Sequence, residues 1–169
     1  TRCCGVTGVQ TCALPISNKN AIIGVYKDSR RLDFQKKITL NHCDLFGDFD
    51  RKVDVIVFNP PWLLAKHNLE EGIDKAMYYE EDLFPRFFEE AKKYLKEDGK
   101  LVLIFSNLAQ EVDNQTAHPI IKELQNNNRF KKHLHLRQEV RASSRRTQRT
   151  DSRETEKVEL WVLAHKKVK

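Results

Sequence analysis

The chain has 169 residues, which is enough for one domain with a sizeable core. Its formal net charge at pH 7 is +6, so it is moderately basic as a whole. No run of about 18 apolar residues occurs, so neither a transmembrane helix nor a membrane partner is expected.

The first sixteen residues differ in character from the rest of the chain. Residues 6–16 resemble the in-frame translation of a common sequencing-library adapter and share no period with the later residues. They are too polar for a secretory signal peptide, and they lack its basic start and long apolar run. We therefore expect residues 1–16 to be a non-native tail and residues 17–169 to be a partial catalytic domain. The alternative is a genuine disordered or strand-forming N-terminus.

The cysteines lie on both sides of the boundary at residue 16. Cys3, Cys4 and Cys12 lie in the expected tail, and no histidine follows them at ligand spacing, so no metal site is expected. Only Cys43 remains, which is typical of a reducing, intracellular setting and predicts a cytoplasmic protein.

From residue 20 onward the pattern is that of an α/β domain. Residues 21–26 predict a short buried strand, residues 28–37 a short helix or loop, and residues 38–43 a second strand. Residues 53–58 predict a further buried strand, because they are β-branched or apolar with a single acid near the start.

That last strand stops at Asn59-Pro60-Pro61-Trp62. Neither proline has an N–H for a sheet ladder, so the strand ends in a rigid turn at its carboxyl end, where open α/β sheets bind ligands. The Asn59 side-chain carbonyl and the Pro60 backbone carbonyl are two acceptors that suit one planar –NH2 group. Trp62 offers a flat face for stacking on the group that carries the amine. The turn therefore predicts a site that positions a poor amine nucleophile without a strong base.

Downstream, residues 80–96 predict an amphipathic helix whose aromatic side chains face the core rather than a ligand. Gly99 predicts the end of that helix as a left-handed cap, and residues 100–106 predict a buried strand. Residues 118–127 predict a modest helix, because Pro119 is favoured in a first turn.

The C-terminal part predicts a long-looped antiparallel pair of strands at the edge of the sheet. Residues 133–140 and 158–165 supply the strands, and the polar, arginine-rich residues 141–157 supply the loop. His133 and His135 alternate on one strand face, and because no carboxylate or cysteine completes a metal site we expect a structural role for them.

Residues 129–153 concentrate positive charge, with nine basic residues against two acidic ones. This density suits a phosphate-backbone partner. The candidate contacts are Arg141, Arg145, Arg146 and Arg149. The alternative is a solvated hairpin loop, since no interleaved aromatic residues are present for base stacking.

Asn59–Trp62 at the end of an apolar strand resembles the signature loop of class I S-adenosylmethionine-dependent methyltransferases that act on planar nitrogens, Asn/Asp-Pro-Pro-aromatic. The resemblance covers about residues 20–167. It implies a Rossmann-like α/β sheet with an antiparallel C-terminal hairpin. Members methylate an exocyclic amine of adenine or guanine in nucleic acids, or a glutamine amide in proteins. One similar branch is related to ribosomal RNA guanine methyltransferases.

The resemblance also implies S-adenosyl-L-methionine as the cofactor and a set of residues around it. The family places an acid at the end of the second strand to bind the ribose, where this chain has Tyr26 and, two residues later, Asp28. A helix N-cap is the alternative role for Asp28. Asp44 matches the acid that pairs with the adenine amine, with Leu45 near the ring, and the alternative for Asp44 is a turn residue.

The glycine-rich cofactor loop of the family does not occur before Ile22, so the first strand of the sheet is expected to be missing. Two central strand edges would then lack a partner. We expect this chain to be a fragment that binds the cofactor poorly and is inactive alone.

The leading hypothesis for the parent protein is methyl transfer to a planar amine, most simply a base in RNA, with Asn59, Pro60, Pro61 and Trp62 as the catalytic set. A glutamine amide in a protein is the alternative substrate. A non-catalytic nucleic-acid binder that uses the basic segment is the alternative class of function, and a fragment without function is a third possibility.

Overall fold

A computed structural model of the chain describes residues 12–15, 19–47, 49–65, 77–140 and 155–166. The chain divides into two compact units, residues 1–52 and residues 53–169. None of the helices in the described ranges combines the length and apolar character needed to cross a bilayer.

In the part of the first unit that the structure describes, there are one helix and two short strands: β1 (Cys12–Pro15), α1 (Lys19–Arg31) and β2 (Ile38–Asn41). β1 and β2 pair in parallel, with Cys12 opposite Ile38. β1 lies in the stretch predicted to be a foreign tail, and the alternative of a strand-forming N-terminus matches its backbone. The foreign origin of residues 1–16 stays a prediction, because a foreign segment can pair with a strand as a native one does.

The strand predicted over residues 21–26 was wrong, because these residues lie within α1. Ile22 and Val25 are half-buried and Ser29 is buried, and their spacing of three and four residues places them on one helical face. The Ser29 hydroxyl donates to the backbone oxygen of Tyr26 at 2.7 Å. The apolar residues 21–26 therefore also fit the period of a helix, and in this chain they lie in one.

The second unit is built on a four-stranded sheet in the order β3-β6-β8-β7. Its strands are β3 (Val53–Phe58), β6 (Leu95–Ser106), β7 (Phe130–Glu139) and β8 (Lys157–His165). β3 and β6 are parallel, whereas β8 is antiparallel to both β6 and β7. The predicted antiparallel C-terminal hairpin is confirmed, and β8 lies between β6 and β7.

Among the described residues of this unit are also three helices and a small strand pair: α2 (Leu83–Tyr94), α3 (Leu108–Val112), α4 (Pro119–Asn126), β4 (Leu63–Leu64) and β5 (Tyr78–Tyr79). The predicted core role of α2 is confirmed, because its aromatic side chains pack on the sheet. Phe84 meets Phe105 of β6 edge to face at 5.4 Å, and Phe88 lies 6.0 Å from Phe130 of β7. The buried α2 residues are Phe84, Phe87, Phe88 and Ala91.

The helix cap predicted at Gly99 was wrong. α2 passes directly into β6 at Leu95, whose backbone is already extended, and Gly99 lies buried within that strand. A Cβ at Gly99 would sit 2.7 Å from Leu95 Cδ1 and 2.9 Å from the Lys96 backbone oxygen. The glycine therefore allows a close approach inside the strand.

Candidate active site

The carboxyl ends of β3 and β6 lie at the same edge of the sheet. These strands are parallel neighbours, with Phe58, the last residue of β3, opposite Leu103 of β6. The Asn59–Trp62 turn follows β3, and α3 follows β6. Both connections are therefore at the edge where open α/β sheets bind ligands.

The Asn59–Trp62 turn is anchored on both sides. Before it, the Phe58 ring stacks on Phe87 of α2, with centroids 3.9 Å apart and ring planes 19° apart. After it, β4 pairs with β5, and the Ala65 N–H donates to the Tyr79 backbone oxygen at 2.9 Å. Burial raises the pKa of Tyr79 to about 12, so its phenol stays neutral at physiological pH.

Two polar atoms of the turn are buried and have no partner within the described ranges. Asn59 Oδ1 and Trp62 Nε1 have no hydrogen-bond partner among the described residues, and Pro60 between them is buried. Leaving a buried donor or acceptor unpaired costs about 1–3 kcal/mol per group. Such groups in a folded protein require an explanation, and a ligand that pairs with them is one.

A third unpaired side chain belongs to Gln110 in α3. Both of its amide atoms, Nε2 and Oε1, are buried without a hydrogen-bond partner in the part of the chain that the structure describes. No sequence pattern pointed to this residue, because a single glutamine in a short helix carries no spacing signal.

The two residues predicted to bind the cofactor ribose, Tyr26 and Asp28, do not follow a strand. Both lie on α1, where Tyr26 is 51% exposed and the Arg30 guanidinium sits 6.0 Å from its ring centroid. Asp28 forms an ion pair with Arg31 at 3.1 Å in the second half of the helix. The alternative of a helix N-cap at Asp28 was therefore also wrong. Neither residue is at the strand end from which the ribose contact was predicted, and the contact itself stays a prediction.

Asp44 and Leu45 do follow a strand, because β2 ends at Asn41. Asp44 is exposed, and its backbone oxygen accepts the Gly47 N–H at 3.2 Å, so it begins a turn. The Leu45 side chain is half-buried, and its backbone is in the left-handed region, with φ of 50°. The adenine contact of Asp44 and Leu45 stays a prediction, as does weak cofactor binding by residues 17–169. Within the described ranges, no group of three histidine, cysteine or acidic residues is arranged to hold a metal ion.

The basic segment is only partly described. Arg141, Arg145, Arg146 and Arg149 lie outside the described residues.

Two arginines of that segment that the structure does describe are used internally. Arg129 binds both carboxylate oxygens of the buried Glu123, at 2.7 and 2.6 Å. Arg137 binds the buried Glu159 at 2.7 Å. His135 stacks on Trp161 with ring centroids 3.5 Å apart, in agreement with its predicted structural role.

A sequence model of the Eco57I restriction-modification methylase family matches residues 15–141, well over half of the chain. The chain belongs to this family. A release factor glutamine methyltransferase of Streptococcus pneumoniae strain R6 is 32% identical over 77 residues, covering 40% of this chain and 28% of that protein. The match thus spans less than a third of the length of this curated relative.

Solved structures of methyltransferases share the fold of this chain. The ribosomal protein L11 methylase from Lactobacillus delbrueckii has a TM-score of 0.56 at 17% identity, over 95% of this chain and 60% of that one. TrmN from Thermus thermophilus has a TM-score of 0.56 at 16% identity, over 92% and 36%. The geranyl diphosphate C-methyltransferase from Streptomyces coelicolor, in complex with S-adenosyl-L-homocysteine, has a TM-score of 0.60 at 12% identity, over 90% and 64%. The predicted Rossmann-like fold is confirmed, and the family supports S-adenosyl-L-methionine as the cofactor.

Proposed function

We propose that this chain carries the amine-binding part of an S-adenosyl-L-methionine-dependent methyltransferase that acts on a planar amine nitrogen. The observation that carries the proposal is Asn59 Oδ1 at the carboxyl end of β3, which is buried without a hydrogen-bond partner among the described residues, in a chain that belongs to a methylase family. An acceptor in that position lacks a donor among the described residues, and an amine N–H supplies one.

The proposed role of the turn is to hold the amine and raise its reactivity. Asn59 Oδ1 and the Pro60 backbone oxygen each accept one N–H of the –NH2 group. The two hydrogen bonds oppose delocalisation of the nitrogen lone pair and stabilise the positive charge that develops on nitrogen as it gains a methyl group. S-adenosyl-L-methionine, when bound, supplies an electrophilic methyl group. The nitrogen afterwards loses one proton to solvent, so the turn needs no strong base.

Trp62 is proposed to stack on the planar group that bears the amine. Its ring is half-buried, and its buried Nε1 is unpaired among the described residues. An indole N–H is a donor only, so it would bind an acceptor of the substrate or of the substrate's backbone. The indole would therefore fix the orientation of the amine-bearing group as well as its plane.

We favour a base in RNA as the substrate. The density of basic residues in 129–153 supports a polyanion, and Lys131 and Lys132, which the structure describes, are exposed. A protein glutamine amide is the alternative, favoured by the 32% identity with a release factor glutamine methyltransferase. A non-catalytic nucleic-acid binder would use the basic segment alone.

The test is Asn59→Ala in the protein as its complete gene encodes it, assayed with radiolabelled S-adenosyl-L-methionine on unmodified RNA and on a glutamine-containing peptide. We expect kcat to fall by about 10²–10³, the range found when one preorganised donor or acceptor is removed. The melting temperature should not fall, because the variant removes an unpaired buried acceptor. Asn114→Ala, at an exposed asparagine, is the matched control. Turnover of Asn59→Ala near that of the parent would refute the proposal.

A further inference from the structure

We propose that Gln110 is a second recognition residue of the same site, whose carboxamide reads the edge of a guanine ring beside the amine held by Asn59. The inference rests on the proposed function and extends it to the substrate class. Gln110 would position the substrate and take no part in bond making.

The topology places Gln110 near the turn. α3 begins two residues after β6 ends, and β6 is the parallel neighbour of β3. α3 also contacts β4, which begins at Leu63, directly after Trp62. Gln110 therefore belongs to the connection that lies against the far end of the Asn59–Trp62 turn.

The residues around Gln110 have hydrogen-bond partners of their own. The Ser106 hydroxyl donates to Glu156 at 2.8 Å and accepts the Leu108 N–H at 3.0 Å. Asn107 Oδ1 accepts the Lys157 N–H at 2.6 Å.

The hydrogen bonds of Ser106 and Asn107 thus fix the start of α3. Asn107 Nδ2 also donates to the Glu111 carboxylate at 2.6 Å. The Gln110 carboxamide takes no part in these hydrogen bonds, and both of its polar atoms are buried. Buried polar atoms without a partner among the described residues require an explanation, and a ligand that pairs with them is one.

The chemistry of the unpaired atoms selects among the candidate amines. A carboxamide presents one donor and one acceptor side by side, so it is satisfied by a group with an acceptor and a donor side by side. Once the guanine N2 amine is held by Asn59 and Pro60, the adjacent N1–H can donate to Gln110 Oε1. The guanine O6 can then accept from Gln110 Nε2.

Neither of the other amines satisfies both atoms. Adenine, with its N6 amine held, retains ring nitrogens that accept but has no N–H on the same edge to donate to Oε1. A glutamine side chain retains one carbonyl oxygen and no donor. The donor and acceptor count at Gln110 therefore favours guanine.

The experiment compares Gln110→Met with the parent in the protein as its complete gene encodes it. Methionine has a similar length and no carboxamide, so it removes both polar atoms with little change in shape. The substrates are a mixture of unmodified RNA transcripts and a glutamine-containing peptide, and mass spectrometry identifies the methylated nucleoside or residue. Gln115→Met, at an exposed glutamine five residues further on, is the matched control.

We expect the parent to form N2-methylguanosine. Gln110→Met should raise KM for RNA by about 10- to 100-fold, as the loss of one or two hydrogen bonds predicts, with a smaller change in kcat. Its melting temperature should be unchanged or higher, and guanosine monophosphate should bind more weakly to it than to the parent.

Each other outcome counts against a defined part of the reasoning. Methylation of neither RNA nor peptide would contradict the proposed function itself. Methylation of adenosine or glutamine would leave that function standing and overturn the guanine inference. An unchanged KM would overturn the recognition role of Gln110, and a lower melting temperature with unchanged KM would show that the role is structural.

Discussion

Glu159 of β8 is a fully buried carboxylate on which the C-terminal strand pair depends. It accepts hydrogen bonds from Arg137 Nε at 2.7 Å, His118 Nε2 at 3.0 Å and Trp161 Nε1 at 2.7 Å, and His135 Nε2 lies 3.4 Å away. Burial acts to raise the pKa of Glu159, but the hydrogen bonds from His118 and Trp161 and the nearby charges outweigh it. The net effect lowers the pKa from 4.5 to about 2.

The lowered pKa of Glu159 predicts how the stability of the fold changes with pH, and by how much. Because the pKa of Glu159 is lower in the folded state than in the unfolded state, its contribution to stability is complete above about pH 4.5 and is lost as the pH falls towards 2. At about 1.4 kcal/mol per pKa unit, the contribution at neutral pH is about 3 kcal/mol. By about pH 3 it should have fallen to less than half of that.

The perturbation is Glu159→Gln, and the assay is urea denaturation at pH 7 and near pH 3. At pH 7 the variant should lose about 3 kcal/mol of unfolding free energy, because it loses the charge that Arg137 and the other donors bind. Near pH 3 the difference from the parent should shrink to about 1 kcal/mol. Glu97→Gln, at an exposed position of β6, should match the parent at both pH values. An equal loss at both pH values would refute the reasoning, since the effect would then not come from the charge of Glu159.

The remaining predictions concern a buried ion pair and two glycines. Arg129→Met should cost about 3–5 kcal/mol of unfolding free energy, because it leaves the buried carboxylate of Glu123 unpaired, and adding Glu123→Gln should recover part of that loss. Gly99→Ala should cost about 1–3 kcal/mol in the same urea assay, because the added Cβ would lie 2.7 Å from Leu95 Cδ1. Gly24→Ala should stabilise by up to about 1 kcal/mol, because it lies inside α1 with no atom within 4 Å of an added Cβ. Equal shifts for the two glycine variants would contradict the packing argument, and a neutral Arg129→Met would contradict the buried ion pair.

The sequence predicted those elements in which one period or one residue type dominates. The helix expected over residues 80–96 is observed as Leu83–Tyr94, because aromatic residues at a spacing of three and four residues define a single buried face. The strands expected over residues 133–140 and 158–165 are observed as Phe130–Glu139 and Lys157–His165.

The failures occur where two structures fit the same residues. Residues 21–26 are apolar at nearly every position, so alternation cannot separate a buried strand from a helix, and the helix Lys19–Arg31 formed. Gly99 follows an aspartate and an amphipathic helix, which is typical of a cap. Only the packing of Leu95 against Gly99 shows that the glycine provides room rather than a left-handed turn.

The residues of the candidate site also differ in whether the sequence could predict them. Asn59 and Trp62 could be found from sequence, because two prolines cannot continue a central strand and so mark where the chain turns. Gln110 could not be found, since its position beside the turn depends on β6 pairing with β3, and that pairing brings together residues more than forty positions apart. Within the part of the chain that the structure describes, the amides of Asn59 and Gln110 leave three unpaired atoms in buried positions at the edge where β3 and β6 end. Packing alone gives no reason to place these amides there, because an apolar side chain of similar size would fill each position without the cost of an unpaired polar atom. Their presence at one edge of the sheet is therefore better explained by the proposed substrate, which would pair with them, than by the stability of the fold.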